Sequence, residues 1–530
     1  MKFDIKKIFN KYYGALTFLI VLASFLRIFY LGYSDYQGDE IKALFIPEAG
    51  QSIRDFLLTQ RKGPMQFLIT FVLKIVNQSY DNQFLVRIPF ALAGVVSVFF
   101  FYKLVKEHFG NRIAFYASSF FVTNGFLIAF SRIVQYQSFV IVFMLASLYF
   151  MTITLSKQGY ERKGIFLGFL FWSLSLLSHY DGVFITPFAL YLLIRWWKNI
   201  SLSKKDKIKT LALSLSVSGI LLFSFYIPFL LSLTGSTTDY WEGRLTGDVS
   251  GKISSSRYLF TVYQPIYSLH FYTILSLLGF LLTALSYLQR KQLIRKLISK
   301  LSIYTIHNKQ ALTALIIWFL FGFVVMEKIV YIPGTHIYVY LIPLFIIAAF
   351  GIYFSESIIK KILGSKIGTP IFIYGLILLF SFLYLQSAAV FVENKTEYPW
   401  KEEKFFFWTF PRPNPIFHLS MFGFPYYRNW EGIRDFVKTL NEPTIKAYST
   451  NERKSIARYF INLEKSSDKA GIYVYIKNPQ SFTNDILEEK PKYWTGKYEP
   501  VYTLSRDGQE IVSVYLMEPG SIEELQKMGY

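Results

Sequence analysis

At 530 residues, with 53% hydrophobic and 19% aromatic content and a mean hydropathy of +0.33, the chain holds more apolar sequence than one soluble core uses. The net charge of +21 raises the question of nucleic acid, but Lys and Arg gather in short loops between apolar runs, which points to membrane lipids as the partner and not to nucleic acid. Without cysteine, disulfides and thiolate catalysis are excluded.

The first segment, MKFDIKKIFNKYY, carries Lys2, Lys6, Lys7 and Lys11 ahead of an apolar run with no small-residue cleavage site, so it reads as a retained signal anchor with a cytoplasmic N-terminus. A first span over 14–33 runs outward and empties into YSDYQGDEIKALFIPEAG, where Asp35, Asp39 and Glu40 fall within six positions and Lys42 follows. PMQFLITFVLKIV (64–76) is short of the roughly 20 residues a span needs and contains Lys74, so it reads as an interfacial or re-entrant helix, and 34–84 forms one extracytoplasmic loop. Further spans are expected at 85–106, 113–131, 137–156, 163–178, 181–197, 209–232, 265–288, 311–327, 335–354 and 369–392, about eleven transmembrane helices in all. Charge bias places the basic loops 103–112, 195–209 and 289–310 inside. The acidic loop, SRIVQYQ (131–137), SHYDG (178–182), 233–264 and EKIVYIPGTH (327–336) then share the outer face.

After residue 393 the apolar runs stop, which divides the chain into a membrane domain, 1–393, and a tail, 394–530. The Pro- and aromatic-rich lead-in 394–429 is expected along the membrane surface. Beyond it, NWEGIRDFVKTL predicts a helix capped by Asn429, TIKAYST a strand, ERKSIARYFINL a helix and GIYVYIK a strand. YEPVYTLSR and EIVSVYLME predict a hairpin, and SIEELQKMG a last helix. The expected fold class is therefore a polytopic α-helical membrane protein with a small extracytoplasmic α/β domain at its C-terminus.

The motifs along the outer face, taken in order, resemble those of the GT-C glycosyltransferases that use lipid-phosphate sugars, the superfamily of the protein O-mannosyltransferases and bacterial aminoarabinose transferases. Asp39-Glu40 in GDEIKA matches the family's acidic pair after the first helix. KGPMQF, with Lys62, matches its K-P-P-L motif with Gly63 in place of the first proline. VRIPFALAG from Arg87 matches R-L-P-S-A, AFSRIVQYQ matches F-S-R with Arg132, LSHYDGVFITP loosely matches the lysine-glycine motif, and HIYVYLIP, with His336, matches Y-x-x-P. An acidic partner usual before the fourth helix is replaced by Gln135, Tyr136 and Gln137, and the W-W-D-x-G of oligosaccharyltransferases is absent.

The resemblance implies a GT-C fold, a polyprenyl-phosphate-linked sugar donor and a glycan, lipid or protein acceptor, in the cell membrane with an extracytoplasmic active site. Asp39, with Glu40, is the expected catalytic carboxylate. Lys42, Lys62, Arg87, Arg132 and His336 are the expected cations at the donor phosphate, while Tyr136, His179, Asp181 and Tyr338 are candidates for substrate contacts. No metal or other cofactor is expected. A polyprenyl phosphate leaves without a protonating acid because its second pKa is about 6. Cations must therefore hold its charge, and one carboxylate must take the acceptor proton, which implies a single displacement with inversion. Two other readings stay open: a transporter or flippase of lipid-linked sugars, and a non-catalytic membrane scaffold whose tail binds a partner.

Overall fold

The computed structural model describes residues 13–246, 269–400 and 403–518, apart from 290, 301–305, 332, 396, 399, 406–407, 411–421, 441–444, 467–468 and 481–497. The basic N-terminus, 17 of the 36 residues of the lead-in and the expected last helix, SIEELQKMG, lie outside the described residues.

Apolar runs become helices, and two glycines decide how the longest of them fold. Within Gln83–Thr123, Gly110 takes φ +85°, a conformation that costs other residues strain, and the helix doubles back there. The rings of Phe101 and Phe121 stack 4.7 Å apart, whereas twenty residues of straight helix would span about 30 Å. Gly364, at φ +70°, breaks Tyr338–Phe391 in the same way. Among the described residues five helices are long and apolar enough to cross a membrane, six if the pair Gly125–Arg132 and Gln137–Ile153, bent by 115°, forms one span. Gly14–Ile28 and Lys163–Ser178 are shorter apolar helices. This differs from the eleven expected partly because 85–106 with 113–131, and 335–354 with 369–392, are each one doubled helix in this count.

Leu213, Ile220 and Phe223 stand exposed on Lys204–Leu231, as a lipid-facing surface would be, while Tyr338, Leu341, Phe345 and Phe350 are buried at the centre of the bundle. At one end of the bundle lie Gly38–Ile41, Ile53–Leu58, Met65–Leu73 and the 3-10 turn Tyr180–Ile185.

The tail carries a short hairpin, β1 (Glu403–Phe405) with β2 (Trp408–Phe410), and a five-stranded sheet ordered β4-β3-β5-β7-β6. Its strands are β3 (Ala447–Thr450), β4 (Glu464–Lys465), β5 (Ala470–Ile476), β6 (Tyr502–Arg506) and β7 (Gln509–Leu516). β3 pairs in parallel with β4 and β5, and β7 runs antiparallel to β5 and β6. Helices Trp430–Thr439 and Lys454–Phe460 pack beside it, the first capped by Asn429, whose side chain accepts from the Gly432 amide at 3.2 Å. Trp430, Ile433, Ile456, Ile472 and Val474 share one buried core with Tyr36, Ala43, Leu44 and Tyr80 of the loop 34–84. The sheet and the acidic loop are thus packed as a unit.

Polar contacts repeat that union. Asp35 N–H donates to the Tyr426 carbonyl at 3.0 Å, and the Arg428 amide donates to Asp35 Oδ2 at 2.6 Å. Glu397 takes the Tyr33 hydroxyl at 2.8 Å and ion pairs with Arg428 and Arg506.

Candidate active site

Gln37 opens the four-residue helix Gly38–Ile41 with a capping box, Glu40 Oε2 accepting from the Gln37 amide at 3.0 Å. Successive helical residues point about 100° apart, so the two acids separate. Glu40 turns inward and Asp39 toward a cavity of about 500 Å³. Lys42, one turn on, reaches Asp39 Oδ1 at 3.4 Å.

Lys62, Gln135, Tyr136, His179, Tyr180, Arg244 and His336 complete the functional lining with Asp39 and Lys42. Gly63 sets Lys62 there: a Cβ at Gly63 would lie 2.0 Å from the Leu177 carbonyl oxygen, so the loop docks on the end of Lys163–Ser178 only because no side chain intervenes. Lys62 Nζ donates to Gln135 Oε1 at 3.2 Å and lies 5.0 Å from the Tyr136 ring centre. Gln135 thereby holds the lysine without a charge of its own. Tyr136 stacks on His179 at 4.2 Å and 10°.

The field is strongly cationic. Burial works to raise the Asp39 carboxyl, but Lys62, Lys42 and Arg453 outweigh it and hold it below its ordinary value. Burial lowers the Lys62 ammonium, against the pull of Asp39. Burial likewise pushes His179 down to about 4, so its ring is neutral at pH 7. Arg244, on Gly235–Thr246, stacks on Tyr240 at 5.1 Å and also borders an adjoining apolar groove of about 350 Å³ lined by Trp241, Leu245, Met326, Val330 and Pro333.

Of the residues singled out from the sequence, Asp39, Lys42, Lys62, Tyr136, His179 and His336 come together in this cavity. Asp181 and Tyr338 lie behind it, Asp181 Oδ2 accepting from Tyr338 and bonded to His336 Nδ1, each at 2.7 Å. Glu40, Arg87 and Arg132 do not line it. Glu40 receives Arg87 Nε and NH2 at 2.8 Å each and the Val134 amide at 3.0 Å, and Arg87 also donates to the carbonyls of Leu31, Ser34 and Asp35. This pair ties the end of the first helix to both loops. Arg132 donates to the carbonyls of Leu26, Phe29 and Tyr30, closing the C-terminus of that helix. The sequence reading missed Arg244. Its signal is faint: a Tyr240–Arg244 pair one helical turn apart in an otherwise uncharacterised loop.

Residues 62–225 match the profile of the family described as dolichyl-phosphate-mannose-protein mannosyltransferase. No match is found among curated protein sequences. Among solved structures, the oligosaccharyltransferase of Archaeoglobus fulgidus superposes with a TM-score of 0.52 at 10% identity, covering 94% of this chain and 73% of that one. The same protein in complex with an inhibitory peptide and a dolichol-phosphate gives 0.50 at 10%, over 96% and 74%. ArnT from Cupriavidus metallidurans bound to undecaprenyl phosphate gives 0.49 at 10%, over 94% and 98%. The S. cerevisiae protein O-mannosyltransferase Pmt1-Pmt2 complex gives 0.32 at 14%, over 46% and 38%. The chain thus matches, over residues 62–225, the family model of the dolichyl-phosphate-mannose-protein mannosyltransferases, and its fold is similar to that of the archaeal oligosaccharyltransferase.

Proposed function

We propose that the chain is an integral membrane glycosyltransferase that moves a sugar from a polyprenyl-phosphate donor to an acceptor hydroxyl on the extracytoplasmic side of the cell membrane, with inversion. One observation carries the reading: Asp39 shares a cavity with Lys62 and Arg244, and that cavity adjoins an apolar groove through Tyr180, Arg244 and His336. A carrier lipid has this division, an anionic head beside a hydrocarbon chain. The groove takes the first isoprene units, and Lys62 and Arg244, with Lys42 and His336 nearby, hold the phosphate as the glycosidic bond breaks. A dolichol-phosphate in the structurally similar archaeal oligosaccharyltransferase is consistent with this.

Asp39 accepts the proton of the acceptor hydroxyl as the new bond forms. Tyr136 and His179 flank the sugar, while Asp181 and Tyr338 fix His336 from behind. Glu40, Arg87 and Arg132 serve as framework, because their hydrogen bonds go to the protein itself. The tail 394–530 is an extracytoplasmic domain that braces the acidic loop.

The test is transfer from a labelled polyprenyl-phospho-sugar to an envelope acceptor by the protein in nanodiscs. Asp39→Asn, nearly isosteric but unable to take the proton, should slow transfer by about 100-fold or more while donor binding survives. Near-normal turnover by Asp39→Asn, beside an unstable Asp39→Ala, would make Asp39 a helix-end residue and sink the catalytic reading.

A further inference from the structure

Asp181 is fully buried between two imidazoles, and its two oxygens are treated unequally. Oδ2 is satisfied by His336 Nδ1 and the Tyr338 hydroxyl, both at 2.7 Å. Oδ1 has no hydrogen bond, although His179 Nδ1 stands 3.1 Å from it. The reason lies in the turn after Lys163–Ser178: His179 caps the 3-10 turn, and its Nδ1 accepts from the Asp181 amide at 3.2 Å. His179 Nδ1 and Asp181 Oδ1 thus stand in contact in a dry pocket, and either a proton or a metal ion must lie between them for that contact to be attractive.

We propose that His179, Asp181 and His336 form a binding site for one divalent transition-metal ion of the zinc class. Each offers one donor atom, and the three atoms lie within 4.8 Å of one another, so a closure of a few tenths of an ångström at the widest pair brings all three to ligand distances of about 2.0–2.2 Å. Two imidazoles and one carboxylate suit Zn²⁺ or Co²⁺ and do not suit Mg²⁺ or Ca²⁺, which take oxygen shells. The supporting contacts are those that orient ligands: the Tyr338 hydroxyl on Asp181, and the Tyr136 ring stacked on His179. His179 and His336 both reach the cavity wall, so a fourth position would open toward the place given above to the donor phosphate. That last point rests on the glycosyltransferase reading; the binding of the ion does not.

Electrostatics adds a distinguishing mark. The cavity also holds Lys62 and Arg244, which oppose a dication, and an anionic phosphate lowers that opposition. Ion and phosphate should therefore strengthen each other's binding, by the same factor in either order.

The full chain in nanodiscs, stripped with chelator, is titrated with Co²⁺ followed by absorption, and with Zn²⁺ in competition, with and without undecaprenyl phosphate. One Co²⁺ per chain, with the visible absorption of a nitrogen- and oxygen-ligated ion, is expected, tighter when the lipid phosphate is present. Tyr338→Phe should weaken the site by about 10-fold and His336→Gln or Asp181→Asn by more than about 100-fold. Zn²⁺ should also raise the melting temperature of the parent chain but not that of His336→Gln. Absence of a stoichiometric ion on the parent, or unchanged affinity in His336→Gln, overturns the proposal. Sugar transfer that fails while the ion binds as described would instead count against the glycosyltransferase reading.

Discussion

Glu40 stands next to Asp39 in sequence yet should fail in a different way. Its carboxylate meets Arg87 through two 2.8 Å bonds and accepts the amides of Gln37 and Val134 at 3.0 Å, with both charged groups almost wholly shielded from water. Glu40→Gln leaves the Arg87 guanidinium buried against carbonyls alone, and removing one partner of a buried pair costs about 3–5 kcal/mol. Glu40→Ala also orphans two buried amides, each worth about 1–3 kcal/mol, although these losses share one network and do not simply add. Replacing both members by apolar residues, Glu40→Leu with Arg87→Met, removes the stranded charge and should recover most of the loss. Thermal unfolding in nanodiscs reads the stability, and turnover is measured well below each variant's midpoint. The reasoning expects a large drop in midpoint for Glu40→Gln, a partial return in the double variant, and activity that follows the folded fraction. Were Glu40→Gln to melt with the parent while turnover collapsed, Glu40 would have to touch the substrate and the framework assignment would be wrong.

Arg244→Ala should remove roughly 2–4 kcal/mol of transition-state stabilisation, about 30- to 1000-fold in kcat/KM, without shifting the melting temperature; unchanged kinetics would take it out of the phosphate site. Asp35 carries a carboxyl that burial pushes up to about 7, against the Arg428 amide and charge that pull it down. Because the folded value lies above the unfolded one, its contribution is full only below the unfolded carboxyl value of about 4 and is lost as pH rises from there through about 7. Asp35→Asn, still able to accept from Arg428, should flatten that decline in thermal melts between about pH 4 and 7, and an equal slope in both proteins would refute the assignment. For topology, Arg54→Cys, exposed on Ile53–Leu58 in a chain without native thiols, should react with impermeant maleimide in intact cells; labelling only after permeabilisation would invert the orientation.

What could be read from the sequence depended on whether one local rule was enough. Gly110 and Gly364 fall between apolar runs, so the doubling of the two long helices was visible as paired spans. Lys42 lies three residues from Asp39, and the 3.4 Å contact follows from helical spacing alone. The sequence favoured Asp39 over Glu40 as the base, but it could not place Glu40 in a buried pair, because the partner that turns it inward, Arg87, lies 47 residues away in the chain. Arg87 and Arg132 were legible as cations at helix ends but not as cations already surrounded by carbonyls, since those acceptors belong to backbone more than 50 positions distant. Arg244 had no motif to announce it, and only the fold brings Gly235–Thr246 beside Lys62 and His336.

The lysines around Asp39 have a kinetic meaning once the order of events is considered. Within the cavity the carboxylate is the counter-ion of Lys62 and Lys42, and a carboxylate so stabilised has little appetite for a proton. Water can enter an open cavity at any time, and it meets a weak base. On the proposed function, docking of a donor phosphate would turn part of the ammonium field to it, and the proton affinity of Asp39 would rise in the complex in which an acceptor can use it. The same cations that grip the leaving group would then act as a timer, arming the base only when there is a sugar to move.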